Sequence, residues 1–176
     1  MLDENRIKEA QNNINQYIQD DLIWRIKTPR KEILNTYVKN YKESLKIAKR
    51  LIDENISNLW VIVVSYYAMY YVANAVLYKI GYKVGSKISH KITADALIIL
   101  IRDELKKSLI EDYESAKEEA LELIGRKTDE IISSFEKELK KRSTFQYEST
   151  EEIKRAKAET SFERAKKFVF EMEKLL

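Results

Sequence analysis

Cysteine is absent from the 176 residues, which removes disulfides, thiolate nucleophiles and cysteine-ligated metals. The single histidine, His90, argues against a zinc site, which needs several imidazoles once cysteine is gone. Three glycines and one proline leave little material for a fold rich in hairpin turns. No GxxxxGK[ST] or GxGxxG loop is present to cradle a phosphate. No serine sits in a nucleophile elbow, so a Ser-His-acid triad has no nucleophile. The Glu-x-x-His pairs of a di-iron bundle are missing as well. Neither a metal nor a cofactor is expected.

Charged side chains, by contrast, make up 35% of the chain, with 32 Lys and Arg against 29 Asp and Glu. The polar segments are rich in Lys, Glu, Ile, Leu and Ala, mostly good helix formers. An all-α fold follows: an up-and-down bundle of four to five core helices plus an N-terminal helix. One stretch departs from this pattern. Residues 59–78, LWVIVVSYYAMYYVANAVLY, carry no charge and are long enough to cross a bilayer. Tyrosine favours the membrane–water interface, yet Tyr66, Tyr67, Tyr70 and Tyr71 stand mid-run with Ser65 and Asn74. The N-terminus is charged from its third residue, unlike a signal peptide. The run is therefore expected to be a helix buried on nearly all sides, in a soluble cytoplasmic protein with no membrane partner.

Helical spacing organises the rest. A first helix is predicted over residues 3–26, with a narrow apolar stripe of Ile7, Ile14, Tyr17, Ile18 and Leu22. Such a stripe suits a helix on the outside of a bundle or one docked on a partner chain. Residues 1–27 are accordingly divided from residues 28–176 as an N-terminal helical extension. Thr28 and Pro29 predict a capped start for a second helix over residues 29–54. Leu34, Tyr37, Tyr41, Leu45, Ala48 and Ile52 would form its core face. Lys39, Lys42, Lys46 and Lys49 share another sector of that helix, the best-defined basic stripe and a candidate nucleic-acid surface. A solvated lysine face is the plainer reading.

Ser57 can cap the third helix, which holds the uncharged run, and Gly81 and Gly85 mark its end. His90 falls in the following loop, which runs from residue 79 to 91 with four lysines and no acid. A fourth helix is predicted over residues 93–109. A fifth spans residues 112–141, bent or broken near Gly125. Ser149 with Glu152 forms a capping box for the last helix, which packs Ile153, Ala156, Thr160, Phe162, Ala165, Phe168, Val169 and Met172 by turns.

Three segments together carry a family resemblance. They are the tyrosine helix from Ser65 to Leu77, the Ser89-His90-Lys91 triplet after a glycine-containing loop, and Arg142-Ser143-Thr144-Phe145-Gln146-Tyr147. In this combination residues 33–176 resemble the HEPN domain family. The resemblance implies a helical bundle that dimerises, often beside a minimal nucleotidyltransferase antitoxin in toxin–antitoxin pairs, or working on RNA. Active members are metal-independent ribonucleases in which an arginine and a histidine four to six residues later meet at the dimer cleft. Arg142 lies in the matching region, but Tyr147 stands where the histidine belongs, and tyrosine, with a pKa near 10, is a poor base at neutral pH. His90 lies upstream of Arg142 instead. Candidate site residues are thus Arg142, Tyr147 and His90 for catalysis. Arg142 and the four lysines are candidates for nucleic-acid binding, and Tyr66, Tyr67 and Tyr70 for cleft aromatics. Three roles stay open: a partner- or RNA-binding module, a ribonuclease using Arg142 with Tyr147 or His90, and a structural or adaptor bundle.

Overall fold

The computed structural model describes the backbone of residues 2–139 and 154–176, and the side chains of residues 2–125 and 154–176. Among the described residues six helices, a short 3₁₀ turn and one pair of strands make up an all-α bundle. The helices are α1 (Glu4–Gln19), α2 (Lys31–Asp53), α3 (Asn58–Lys79), α4 (Ser89–Leu100), α5 (Lys107–Leu139) and α6 (Arg155–Glu173). The strands β1 (Ile23–Arg25) and β2 (Tyr82–Val84) pair antiparallel, and the 3₁₀ turn covers Arg102–Glu104.

The uncharged run forms α3, the central helix. Ser57 caps it as predicted, its hydroxyl accepting from the Trp60 N–H. The helix packs against α2, α4, α5 and α6, so side chains on nearly every side are enclosed, from Val61 and Ile62 to Leu77 and Tyr78. It is the one helix among the described residues long and apolar enough to cross a membrane, and 67% of its most apolar window is buried inside the fold. Its hydrophobicity is spent on neighbouring helices, which explains why it has no polar face.

The amphipathic helices close around it. On α2, Tyr41, Ser44 and Ala48 are buried, with Leu34, Tyr37, Leu45 and Ile52 half-buried beside them. On α6, Ala158, Ser161, Ala165, Phe168, Val169 and Met172 face inward, whereas Ala156 and Thr160, predicted to pack, face solvent. Tertiary packing has turned the start of this helix so that Ala158 and Ser161 face inward in place of Ala156 and Thr160.

Several predicted boundaries are corrected. The first helix ends at Gln19 rather than residue 26. Asp21 turns the chain in the left-handed region (φ 52°), which a short acidic side chain tolerates, and Ile23–Arg25 then extend into β1. The scarcity of glycine spoke only against tight hairpins, whereas β1 and β2 are joined across more than fifty residues, aligning Ile23 with Val84 and Arg25 with Tyr82. Gly81, at φ +93°, makes the turn that launches β2, and its carbonyl accepts from the Ile26 N–H (2.8 Å). At the start of α2 the cap position belongs to Arg30, not Thr28, and makes no side-chain cap bond. The fourth helix begins at Ser89 and ends at Leu100, where the chain tightens into the 3₁₀ turn, so His90 stands on a helix rather than in a loop. The fifth helix runs unbroken through Gly125, where an added Cβ would meet nothing. The predicted Ser149–Glu152 capping box lies outside the described residues.

Candidate functional site

Residues 66, 67, 70 and 71 occupy adjacent positions on two successive turns of α3, so four phenol rings crowd one side of the helix. His90, on the first turn of α4, lies against them. Its ring centroid is 4.5 Å from that of Tyr70, 5.5 Å from Tyr66 and 5.7 Å from Tyr67. Tyr113 of α5 packs under Tyr66 at 5.9 Å and against Phe168 of α6 at 5.4 Å. The cluster is therefore assembled from four helices.

A polar bridge fixes α4 to α3 beneath the histidine. The Asn74 amide donates to the Tyr70 carbonyl (2.9 Å) and to the Thr93 hydroxyl (3.2 Å), while Thr93 donates to the Ser89 carbonyl (2.8 Å). Asn74 thereby has partners despite its apolar setting. The residue before the helix, Ile88, adopts φ 43°, ψ 29° without a side-chain cap, a conformation that costs a β-branched residue about 1–2 kcal/mol. Packing of α4 imposes that geometry, and with it the position of His90.

The Tyr66 hydroxyl and His90 Nδ1 are 2.7 Å apart. Burial raises the pKa of Tyr66, so the phenol stays protonated. We assign the phenol as donor, because its O–H is the stronger acid of the pair. The neutral imidazole then carries its proton on Nε2. That nitrogen has no hydrogen-bond partner among the described residues. His90 is held below the usual histidine range, first by burial and then by the Lys117 ammonium on α5. It is thus neutral at pH 7, an N–H donor with cations nearby. Burial also raises the phenols of Tyr67 and Tyr70, with Ser89 partly offsetting the effect at Tyr70, and raises Tyr113 strongly. The Tyr113 hydroxyl is enclosed, close enough to Tyr66 to affect its ionisation, yet makes no hydrogen bond of proper geometry among the described residues.

The structure thus brings His90 together with Tyr66, Tyr67 and Tyr70. Tyr66 is only 1% exposed, while Tyr67 and Tyr70 are half-buried. Lys39, Lys42, Lys46 and Lys49 are exposed on α2, away from this cluster in sequence and partly neutralised. Lys39 pairs with Glu43 (3.8 Å), Lys49 with Asp53 (2.6 Å), and Lys42 lies over the Tyr41 ring. Arg142 and Tyr147 lie outside the described residues.

A second polar centre went unrecognised in the sequence. Asp95 of α4 is fully buried and accepts from Arg6 Nη2 (2.6 Å), Asn13 Nδ2 (3.0 Å) and the Tyr17 hydroxyl (3.1 Å), all from α1. Arg6 also binds Glu114 of α5 (2.8 Å), and the Leu2 N–H donates to Glu111. Burial opposes the charge on Arg6, but Asp95 and Glu114 outweigh it and hold the guanidinium protonated. Burial, then the Asp95 charge, raises Tyr17. The available signal was one acid inside the apolar stretch TADALIILI. Every ligand of Asp95 is a structural donor from α1, so the centre reads as a clasp, not a reactive site.

Among the described residues no three His, Asp or Glu side chains are placed to share a metal. Two shallow grooves of about 400 and 500 Å³ lie beside Ile7 and Arg102, and neither includes the His90 cluster. No family model matches the chain, and no curated protein matches it significantly.

Proposed function

We propose that this chain is an RNA-binding module of HEPN type, soluble and cytoplasmic, acting as a homodimer in a toxin–antitoxin process with a minimal nucleotidyltransferase as its partner. One observation carries the RNA-binding reading. The tyrosine run and the Ser-His-Lys triplet, which underlie the resemblance from separate stretches of sequence, meet in one cluster with His90 Nε2 unpartnered among the described residues. A neutral imidazole N–H suits a phosphate oxygen, and Tyr67 and Tyr70 offer ring faces to a base. The arrangement favours binding over proton abstraction. With Tyr66 donating to Nδ1, Nε2 holds a proton and cannot accept one until the tautomer changes.

The second reading is a metal-independent ribonuclease, favoured by the same unpartnered ring nitrogen of His90, which a tautomer change would turn into a base. Both readings are tested by incubating the dimeric protein with total RNA in EDTA and measuring binding and cleavage beside His90→Ala. Binding weakened about tenfold in the variant, without cleavage by wild type from pH 5 to 9, supports the module. Cleavage lost in the variant supports the enzyme. Equal binding by both proteins, with no cleavage, sinks both and leaves an adaptor bundle.

A further inference from the structure

We propose that the β1–β2 ribbon is a docking surface for single-stranded nucleic acid, separate from the His90 cluster. Pairing of the strands brings together two segments that are each basic and free of acids. Residues 22–31 hold four Lys and Arg, and residues 79–94 hold four Lys. Neither segment is exceptional alone, and only the fold adds their charges.

The ribbon also orders aromatic rings among those charges. Two of its three cross-strand pairs join one ring to one cation, one on each face of the ribbon: Trp24 to Lys83 at the centre, and Arg25 to Tyr82 at the end. Lys83 Nζ lies 5.4 Å from the Trp24 ring centroid, and the Arg25 guanidinium 5.1 Å from that of Tyr82, donating to its hydroxyl at 2.7 Å. Trp24 rests near Gly85, where an added Cβ would approach the indole to 3.4 Å, and remains 37% exposed. An exposed tryptophan among cations suits an anionic, flat partner. Nucleotides supply both properties: phosphates for the cations and bases for the rings.

What marks this patch is that several unpaired cations stand together on it. Several exposed cations elsewhere are neutralised by acids one turn away, as in Lys49–Asp53, Arg50–Glu54 and Arg155–Glu159, while others, such as Lys8, Lys46 and Lys167, are single charges scattered on separate helices. Among the described residues Arg25, Lys27, Lys83 and Lys87 make no ion pair. The nearest acids in sequence stand outside the ribbon, at Asp21 and Glu32, while Asp95 is buried and occupied. Unpaired, mutually repelling cations are expected where a polyanion releases its counterions on binding. The flat rings favour a single strand over a duplex, whose bases are stacked away. An anionic membrane would match the charge but not the ring–cation pairs.

This assignment rests on the RNA-binding reading, and one experiment separates their failures. Fluorescence anisotropy is measured with labelled single-stranded RNA and DNA of about twelve nucleotides, and with the same sequence as a duplex, between about 50 and 200 mM KCl. Wild type is compared with Arg25→Gln/Lys83→Gln/Lys87→Gln, with Trp24→Ala, with Lys39→Gln/Lys46→Gln/Lys49→Gln on α2, and with His90→Ala. The ribbon triple variant is expected to lose about tenfold or more in single-strand affinity. Its salt slope should flatten by about 2, roughly 0.7 per charge removed. Trp24→Ala should lose about fivefold or more with an unchanged slope. Equal losses in the ribbon and α2 triples overturn the assignment, because total charge then decides. Ribbon variants that bind like wild type while His90→Ala is weakened overturn the ribbon and leave the cluster reading standing. A wild type that binds no strand overturns both. A protein that instead pellets with vesicles of phosphatidylcholine and phosphatidylserine, but not phosphatidylcholine alone, assigns the ribbon to a membrane surface. Lys83→Gln alone repeats the slope measurement at one charge, should the triple variant melt early.

Discussion

His90 is the only histidine, so its titration can be read without assignment. Burial and Lys117 depress its pKa in the folded chain. Unfolding restores the ordinary value near 6.5, so between the two values the unfolded chain binds more protons. Stability is therefore fully present above pH 6.5. It falls as pH drops through that value and levels off below the folded pKa. A proton NMR titration of the His90 ring should give a midpoint below 6.5, and a midpoint above it would refute the burial argument. Tyr66→Phe adds a sharper test. Removing a donor to Nδ1 withdraws support from the neutral ring, so the midpoint should rise and stability fall by about 1–2 kcal/mol. A fall in the midpoint would mean that the proton sits on Nδ1, reversing the tautomer assigned here. Ile88 offers an independent residue-scale test. Its side chain is 55% exposed, while its backbone is left-handed. Ile88→Asn should stabilise by about 1 kcal/mol, visible as a rise in melting temperature of a few degrees, because Asn tolerates that region. A lower melting temperature would show that the isoleucine earns its place by packing.

At the scale of elements, α1 is joined to the bundle by a charge that has no water. Asp95→Ala would leave Arg6 short of one acceptor and strand Asn13 and Tyr17, a loss of about 3–5 kcal/mol. Replacing the pair together, Arg6→Met with Asp95→Leu, should restore part of that loss, since apolar packing removes the orphaned charge along with its partner. Chemical denaturation of the two single variants and the double variant checks this. A double variant as unstable as the sum of the singles would show that the pair is not the clasp. The clasp also shows where sequence reading stops. Ser57, the core face of α2 and the enclosure of α3 were legible, because caps and periodicity are local properties. The left-handed Ile88, the early start of α4 and the β1–β2 pairing were not, because contacts distant in sequence create each of them. The approach of His90 to Tyr66 needs α4 packed on α3 before it is visible, and Asp95 needs α1 in place before its partners are.

Over the whole molecule the question is whether residues 1–27 and 28–176 behave as two units. The narrow stripe on α1 suggested a separable helix. In the fold, however, α1 buries Ala10, Ile14 and Tyr17, holds Asp95 and Glu114 through Arg6, and leads into β1, whose Ile23 is enclosed beside Val84. Its own amphipathic stripe is small, so polar and strand contacts supply the rest of the attachment. Those contacts reach α4, α5 and β2 at once, which ties its unfolding to theirs. Thermal unfolding should therefore be a single transition, and α1 amides should exchange hydrogen with a free energy close to that of α4 amides, not at the lower value of a fraying end. Deleting residues 1–27 should do more than remove a helix. It leaves the Asp95 carboxylate buried without any of its three partners and β2 without its strand, so the shortened chain should be largely unfolded at 25 °C by circular dichroism. Asp95→Leu in the same shortened chain removes the orphaned charge and should recover helical signal. If the shortened chain is as helical and as stable as residues 28–176 within the full protein, α1 is a dispensable arm. The histidine cluster, which contains no residue from α1, would then stand on its own.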